Sequence, residues 1–282
     1  MAQLLNGLAL GSLFMILSSG LAMIYGLRGV TNFAHGALYM AGGYLAYSVS
    51  ANFSFWLALL VAPAGLAVLG AVLELGFFRR LQHRSHIEVG LVTLGIAMIL
   101  ERAVVLLWGE RTLSVPAPPG LDGTTSLLGT DYPTYRLLVI GIAVALAVAL
   151  TWWLRASRLG LHIRAASRDV ETAGILGVNT DRVGLVVVCL GAALAGLAGT
   201  LAAPYVSVHP AMGSAILVNV LIVVVVGGVG SVGGAMVAGM ALGLLQTMGT
   251  VWLPSYAVLV PYAALVAVLL WRPSGLAGSR TA

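Results

Sequence analysis

Apolar runs separated by short polar breaks follow one another along almost the whole 282-residue chain. Crossing about 30 Å of hydrocarbon takes roughly 20 residues of helix, and eight of the nine runs approach that length. The pattern predicts an all-α, polytopic transmembrane helical bundle of about eight spanning helices plus one short broken or re-entrant helix, residues 215–226. The nine runs cover residues 4–27, 35–52, 55–78, 88–108, 136–154, 183–204, 215–226, 235–250 and 256–271.

The composition excludes a water-soluble domain. Hydrophobic residues make up 60% of the chain and charged residues 8%, whereas a soluble domain carries about 25% charged residues. No charged residue occurs between Val183 and Trp271. The first apolar run is too long for a secretory signal and has no basic residue before it, so it predicts a spanning helix. The single cysteine, Cys189, lies in an apolar run and predicts neither a disulfide nor a metal site.

All 14 basic residues are arginines, and their positions predict the orientation of the chain. Eleven of them lie at Arg28, in 79–84, in 155–182 and beyond residue 271, whereas the break 109–135 carries acidic residues and prolines. By the positive-inside rule, the arginine-bearing breaks are cytoplasmic and 109–135 is an external loop. The N-terminus is then outside and the C-terminus cytoplasmic, so the net positive charge belongs to helix ends rather than to a nucleic-acid surface.

Glycines near residue 230 match a nucleotide motif that the rest of the sequence contradicts. Gly228, Gly230 and Gly233 fit G-x-G-x-x-G, but a dinucleotide site needs an acidic residue about 20 positions later, and none follows. These glycines instead predict a broken membrane helix, which is tolerated where protein or a wet cavity satisfies the backbone. Small residues spaced by four, such as Gly239 and Gly243, predict close helix contacts within this chain or with a second subunit.

The chain contains no lysine, so it cannot carry a P-loop, whose lysine reaches the terminal phosphates of ATP. Transport would then run on a gradient, proceed passively or use a motor on another protein. Gradient-driven carriers commonly place ionisable groups in the membrane, and Glu74, Glu101, Arg102 and His35 are the candidates. Glu74 is expected to extend to the membrane interface. Glu101 and Arg102 are expected to have polar partners or to face a wet cavity.

The break from Arg155 to Arg182 has the composition of a helix rather than of a loop. Strong helix breakers are few before Gly174, so we expect one short helix from Arg164 that ends near Gly174 or Gly177. Such a helix would either rest on anionic lipid or dock a stripe of small apolar residues into a groove on a partner protein. The stripe consists of Ala165, Ala166, Val170 and Ala173.

Three motifs occur in a defined order along the chain. Residues 30–36, V-T-N-F-A-H-G, follow the first run, Arg164-Ala165 precedes residues 174–179, G-I-L-G-V-N, and residues 227–234, G-G-V-G-S-V-G-G, lie near the end. Together they resemble the permease family of branched-chain amino-acid ABC transporters, over nearly the whole chain and in the shorter of the two membrane subunits. The resemblance implies a single permease domain, residues 1–282, in the bacterial inner (cytoplasmic) membrane.

The resemblance also implies partners and a solute. It implies a second homologous permease subunit, two cytoplasmic ATPase subunits that use ATP, and a periplasmic or lipid-anchored solute-binding protein, all beside membrane lipid. This chain itself would bind no cofactor, metal or nucleic acid and would not be an enzyme. Branched-chain or similar small amino acids are the expected solutes, with urea, amides or aromatic acids as alternatives. The rival class is a gradient-driven secondary transporter or channel that acts without ATPases.

Two groups of residues are candidate sites. Residues 164–177 look like the coupling helix of the family, and a bulky acidic residue at position 173 or 174 is expected to uncouple transport. The first helix junction and the glycine break are candidates for the translocation path or the helix break, with capping as the structural alternative for the junction. The coupling candidates are Arg164, Ala165, Asp169, Glu171, Ala173, Gly174, Gly177 and Asn179, and the path and break candidates are Asn32, Phe33, His35, Gly36, Gly227, Gly228, Gly230 and Gly233.

Overall fold

The computed structural model describes residues 1–81, 84–127 and 129–277. Within these ranges the chain is mainly helical, with one short two-stranded hairpin, which confirms the predicted all-α bundle. The elements are α1 (Ala2–Arg28), α2 (Ala34–Asn52), α3 (Phe55–Leu73), a π-helical turn (Glu74–Phe78), α4 (His86–Trp108), the hairpin strands β1 (Thr124–Leu127) and β2 (Thr130–Pro133), α5 (Thr134–Ala156), α6 (Arg158–Ala166), α7 (Val170–Ile175), α8 (Thr180–Ala202), α9 (Met212–Gly227), α10 (Val232–Trp252), a 3-10 helix (Pro254–Leu259) and α11 (Val260–Trp271).

Seven helical segments in the described ranges are long and apolar enough to cross a bilayer. The 19-residue α2, which matches the predicted run 35–52, is not among them because its glycine, tyrosine, serine and asparagine residues make it less apolar. The 16-residue α9 is about 24 Å long, shorter than the hydrocarbon layer. The seven cover Ala2–Arg28, Phe55–Phe78, His86–Trp108, Thr134–Ala156, Thr180–Ala202, Val232–Trp252 and Pro254–Trp271.

The central helix of the bundle is α1. Every residue from Gly11 to Ile24 is buried, and α5, α8, α9 and α10 pack around it. On another side, α8 contacts both α2 and α3, and α4 packs against α2. Most of the surface of α4, α5 and α11 is exposed although it is apolar. Such surfaces are expected to face lipid or another subunit.

Small residues allow neighbouring helices to approach closely. A side chain at Gly243 of α10 would collide with the backbone of Gly11 in α1, and a side chain at Gly239 would collide with Met15. In the same way α8 packs on α2, where a Cβ at Gly199 would meet a backbone carbonyl. The small-residue spacing therefore serves packing within this chain.

Substitution of Gly243 by valine is expected to lower the thermal stability of the protein, because the new side chain forces α1 and α10 apart. Overpacking of this kind typically costs about 1–3 kcal/mol. The matched control is Gly141→Val in α5, where a Cβ has no neighbour within 4 Å. Thermal unfolding of both variants in detergent measures the difference, and equal midpoints would contradict the packing role of Gly243.

The polar breaks of the chain assemble at two opposite ends of the bundle. At one end, the last turn of α1, the last turn of α6, the α9–α10 turn and Ala277 border the same cavity. At the other end, Leu113 and Val208 exchange two backbone hydrogen bonds of 2.8 Å, and the Tyr135 hydroxyl donates to the Leu201 carbonyl. We call the first the arginine end. The positive-inside rule predicts that it is the cytoplasmic end.

The short helix α9 begins inside the bundle, where Gly213 contacts Gly36 of α2, and it ends at the arginine end. The residues that precede it reach the end opposite the arginine end through Val208, while Gly230, just after it, packs against Gly26 near the end of α1. The chain therefore crosses the bundle here and does not return to the end from which it entered. Of the two forms predicted for residues 215–226, the structure has a short span that ends at the glycines.

Candidate functional site

The junction between α1 and α2 turns back into the bundle. Gly29 ends α1 in the left-handed conformation, with φ of 66°. His35, in the first turn of α2, has its Nε2 atom 2.9 Å from the Leu17 carbonyl oxygen. Leu17 precedes the end of α1 by about 16 Å of helix. The α2 helix therefore begins well inside the bundle and not at its surface.

Asn32 and His35 are the two residues that the sequence proposed for a translocation path, and the structure holds them differently. The Asn32 Oδ1 atom accepts a hydrogen bond of 3.0 Å from the Ala34 N–H, which is the capping role considered from the sequence. The Asn32 side chain also lines a cavity, and its Nδ2 has no partner among the described residues. His35 is fully buried and bonds to α1. Asn32 is therefore a buried residue in the wall of the cavity, 2% exposed, whereas His35 joins two helices.

Phe33 and Gly36 fix the position of this junction. The Phe33 N–H donates to the Thr93 hydroxyl of α4 at 3.1 Å. Gly36 packs on Gly213 at the start of α9 so closely that a side chain at either position would collide with the backbone of the other. The first turn of α2 is thus attached to both α4 and α9.

A cavity of about 580 Å³ lies at the arginine end beside this junction. Asn32 lines it, and Glu171 and Gly174 of α7 line it as well. It therefore brings one residue of the predicted path and two predicted coupling residues to the same space. We call it the junction cavity. Its wall also includes apolar and basic side chains from Ile24, Leu27, Arg28, Val30, Phe78, Leu81, Arg84, His86, Val89 and Val170.

The long cytoplasmic break forms two helices, so the prediction of a single helix from Arg164 is wrong. An extended Asp169, with φ of −157° and ψ of 105°, separates α6 from α7. Its carboxylate accepts hydrogen bonds from the Thr172 hydroxyl and from the N–H groups of Thr172 and Glu171. These bonds begin a new helix, and they hold the pKa of Asp169 below its usual value because they stabilise the charged form.

The predicted stripe of small residues is not one exposed surface. Ala166 and Ala173 are buried against the rest of the chain. Only Ala165 and Val170 of the stripe are exposed. An acidic residue at position 173 would therefore disturb the local fold before it disturbed a partner. For this reason Ala173 is a poor choice for the coupling test that the sequence suggested.

The apolar residues that project from this segment are Ile175 and Leu176, whose exposed fractions are 81% and 78%. We call this pair the α7 tip. It follows Gly174, where a Cβ has no neighbour within 4 Å, and precedes Gly177, whose φ of 87° ends the helix. The α7 tip is not among the coupling residues predicted from the sequence, although two large apolar residues between glycines in a polar segment are a usable signal.

Two other coupling candidates have positions of a different kind. Asn179 caps α8, because its Oδ1 accepts a hydrogen bond of 2.9 Å from the Arg182 N–H. Arg164 is the basic residue in the last turn of α6 and lines a second cavity at the arginine end. Asn179 therefore has a structural role that accounts for its residue type.

The predicted break between α9 and α10 is present. Gly228 and Gly230 have φ values of 100° and 79°, in a region that glycine adopts far more readily than other residues. Ser231 then caps α10 by accepting a hydrogen bond of 3.1 Å from the Gly234 N–H. Residues 221–226 are helical, and not the strand that a nucleotide-binding fold would need.

The C-terminal residues hold this break in place. The Leu276 N–H donates to the Val226 carbonyl at 2.8 Å, and the Ala277 N–H donates to the Gly227 carbonyl at 3.1 Å. These bonds satisfy two carbonyl groups that the end of α9 leaves without helical partners. The C-terminal residues therefore hold the start of the break, while Val229 and Gly233 stay exposed at the arginine end.

Glu74 is fully buried, and the prediction that it extends to the membrane interface is wrong. It begins the π-helical turn after α3 and forms an ion pair with Arg28 at the end of α1. In the same region the Arg79 Nε atom lies 3.8 Å from Asp181 Oδ2 at the start of α8. The two pairs connect α1, α3 and α8 beside the junction cavity.

Comparison with known proteins places this arrangement in a family. Residues 3–269 match the family described as branched-chain amino acid transport system / permease component. The chain belongs to this permease family. The permease is 30% identical to the high-affinity branched-chain amino acid transport system permease protein LivH of Escherichia coli, over 98% of this chain and 94% of LivH. It is also 30% identical to BraD of Pseudomonas aeruginosa, over 98% of this chain and 95% of BraD.

More distant similarities extend the comparison. The permease is 28% identical to LivM of Escherichia coli, over 94% of this chain and 67% of LivM. Among solved structures, PsaBC from Streptococcus pneumoniae in complex with Fab has a TM-score of 0.50 and 13% identity, over 95% of this chain and 91% of that chain. At this identity the likeness shows the fold alone. With its seven apolar helices, the permease is a multi-pass membrane protein.

In a Cys189→Ala background, Thr31→Cys is expected to react with a small thiol reagent supplied at the cytoplasmic face of the permease. The reason is that this position lines the junction cavity and is partly exposed. The matched control is His35→Cys, which is four residues away and fully buried, and a buried thiol is inert. Labelling in inside-out vesicles should be at least about tenfold slower for His35→Cys. Equal rates would show that the cavity does not distinguish the two positions.

Proposed function

We propose that this permease is one membrane subunit of an ATP-binding-cassette importer that moves branched-chain or similar small amino acids across the bacterial inner membrane. The observation that carries the proposal is the family match over residues 3–269. The relatives LivH and BraD are permease proteins of branched-chain amino acid transport systems. Because the chain has no lysine for a P-loop, separate ATPase subunits supply the energy, and this chain carries out no covalent chemistry.

A second, related permease subunit completes the membrane part of the importer. Similarity of one chain to both LivH and LivM supports a pair of subunits with a common fold. The exposed apolar faces of α4 and α11 offer surfaces for such a partner. A periplasmic or lipid-anchored solute-binding protein then delivers the amino acid at the end opposite the arginine end.

The α7 tip and the junction cavity provide a route by which motion of the ATPases reaches the bundle. A groove on an ATPase subunit receives the α7 tip, and displacement of α7 moves Glu171 relative to Asn32 across the cavity. Asn32 is bonded to the first turn of α2, and that turn contacts α9 at Gly36 and Gly213. Rearrangement of α2 and α9 about the glycine break then opens the path first to one side and then to the other.

Reconstitution into proteoliposomes tests the proposed function. The permease is purified with its second permease subunit and ATPases, and uptake of leucine is measured with and without ATP and the solute-binding protein. We expect uptake only when both are present. Uptake by the permease alone along a gradient, without ATP, would instead assign it to the secondary transporters or channels.

The solute class needs a separate measurement, because the binding protein selects the solute before this permease meets it. We expect the binding protein to take leucine, isoleucine or valine more tightly than urea, amides or aromatic acids. Calorimetric titration of the purified binding protein with each compound compares them directly. If the binding protein prefers urea or an amide, that compound is the transported solute in place of an amino acid, and the importer mechanism still holds.

A further inference from the structure

The second cavity at the arginine end has a strongly basic wall. Its volume is about 550 Å³, and it lies between the end of α1, the end of α5, α6 and the α9–α10 turn. Arg155, Arg164 and Arg168 line it, and its lining includes no acidic residue in the part of the chain that the structure describes. In the same part, none of the three arginines forms an ion pair. We call it the arginine cavity.

The remaining polar groups of this wall suit an anion that carries oxygen atoms. Tyr25 and Ser167, whose side chains carry hydroxyl groups, belong to the lining. Val232 and Gly233, the first residues of the 21-residue α10, line it too. The first N–H groups of a helix have no helical acceptor, and they carry a partial positive charge that favours anions. Charge and hydrogen-bond donors therefore converge on one space.

A continuous apolar stripe on α5 leads from the middle of the bundle to this cavity. Val144, Val148 and Trp152 follow one another at a spacing of four residues, which places them on one face of the helix. All three are exposed, by 47%, 65% and 70%. Arg155 lies less than one turn beyond Trp152, so a hydrocarbon surface and a basic cavity meet at the cytoplasmic end of α5.

We propose that the arginine cavity binds the phosphate headgroup of an anionic phospholipid of the cytoplasmic leaflet, with the acyl chains of the lipid along the α5 stripe. Basic pockets between membrane helices on the cytoplasmic side suit such headgroups. A free phosphate ion shares the headgroup chemistry but leaves the α5 stripe uncovered, which favours the lipid as the source. The proposal does not depend on the identity of the transported solute.

A bound headgroup at this place would connect parts of the permease that the proposed transport cycle moves. Arg164 and Arg168 belong to the segment that contains α6 and α7, and Gly230 and Gly233 belong to the glycine break. The lipid would therefore hold α6 at the membrane surface and next to the break. Leu159 of α6, which is exposed, fits contact with the same leaflet.

Native mass spectrometry of the purified full-length permease in detergent tests this site. On titration with phosphatidylglycerol, we expect one lipid to bind in preference to phosphatidylcholine. Replacing Arg155 and Arg164 together by glutamine should weaken the binding of phosphatidylglycerol about 25-fold, since each basic residue contributes about fivefold near an anionic headgroup. The corresponding double lysine variant retains the charge and should retain most of the affinity.

The matched control is Arg80→Gln with Arg158→Gln, two exposed arginines that do not belong to the lining of the cavity. This variant has the same net charge and should bind phosphatidylglycerol as the unchanged permease does. The proposal would be overturned if both double glutamine variants weakened the binding of phosphatidylglycerol equally. It would also be overturned if phosphatidylcholine bound as tightly as phosphatidylglycerol. If inorganic phosphate displaces phosphatidylglycerol at a concentration similar to that of the lipid, the cavity binds a free anion. That result would overturn the proposal of a lipid.

Discussion

Replacement of the α7 tip by acidic residues, Ile175→Asp with Leu176→Asp, is expected to abolish ATP-dependent uptake while the permease stays folded in the membrane. Both side chains are largely exposed in the chain by itself, so the substitutions remove little packing. In a complex, a buried apolar anchor is worth about 2 kcal/mol or more, roughly 30-fold in affinity for each. The measurements are uptake in proteoliposomes and copurification of the ATPase subunits with the permease.

Two further variants decide whether the α7 tip itself is responsible. Gly174→Glu should have a similar effect, because Gly174 is exposed beside the tip and a new side chain has room there. Leu161→Asp is the control outside the α7 tip, an apolar residue of α6 that is 56% exposed, and it should retain most of the uptake. Normal ATP-dependent uptake by the double aspartate variant would remove the α7 tip from the coupling mechanism.

The helices could be predicted from the sequence because lipid leaves few alternatives. Every backbone polar group in the hydrocarbon layer must be satisfied within a helix or closed barrel, so apolar length alone indicates a span. The run 55–78 coincides with the segment Phe55–Phe78 of the structure. The glycine break was predictable for a similar reason, since Gly228 and Gly230 adopt conformations that few other residues tolerate.

The depth at which α2 begins could not be predicted from the sequence. Its apolar run has the length of an ordinary span, and nothing in the run shows that its first turn lies beside the middle of α1. That depth depends on two contacts between residues far apart in the chain, His35 with Leu17 and Gly36 with Gly213. For the same reason, the meeting of Asn32 and Glu171 at the junction cavity appears only in the structure.

The division of the cytoplasmic segment depends on one local interaction that was available in the sequence. Asp169 is a good N-cap residue, and Glu171 and Thr172 follow it at the positions whose N–H groups it caps. One helix was predicted because glycine and proline are absent from Arg164 to Ala173, and the capping potential of Asp169 was not considered. Reading Asp169 as a helix start would have separated α6 from α7.

The ion pair between Glu74 and Arg28 could not be predicted from the sequence. A glutamate near the end of an apolar run usually extends its carboxylate to water, and the sequence contains no sign that Arg28, 46 residues earlier, will meet it. The pairing requires α1 and α3 to end at the same level of the bundle, which is a property of the fold. Burial of the pair then gives it an energetic weight that a surface pair lacks.

Replacement of Glu74 alone by alanine is expected to destabilise the permease by about 3–5 kcal/mol, because it leaves the Arg28 guanidinium partly buried without its counter-charge. Thermal or chemical unfolding in detergent measures the loss. The double variant Arg28→Met with Glu74→Leu should lose much less stability than Glu74→Ala, since neither charge remains to be desolvated. The stability change of the double variant minus the sum of the changes in the two single variants gives the interaction energy of Arg28 with Glu74.

The pair formed by Arg84 and Glu88 is the matched surface control. Its closest N–O distance is 3.8 Å, and its side chains are 65% and 52% exposed. Arg84→Gln should therefore cost less than about 1 kcal/mol, as expected for an exposed pair, whereas Arg28→Gln should approach the cost of Glu74→Ala. A small and equal loss of unfolding free energy in Arg84→Gln and Arg28→Gln would contradict this prediction. It would mean that the carboxylate of Glu74 is in water, as predicted from the sequence, and that it does not join α1 to α3.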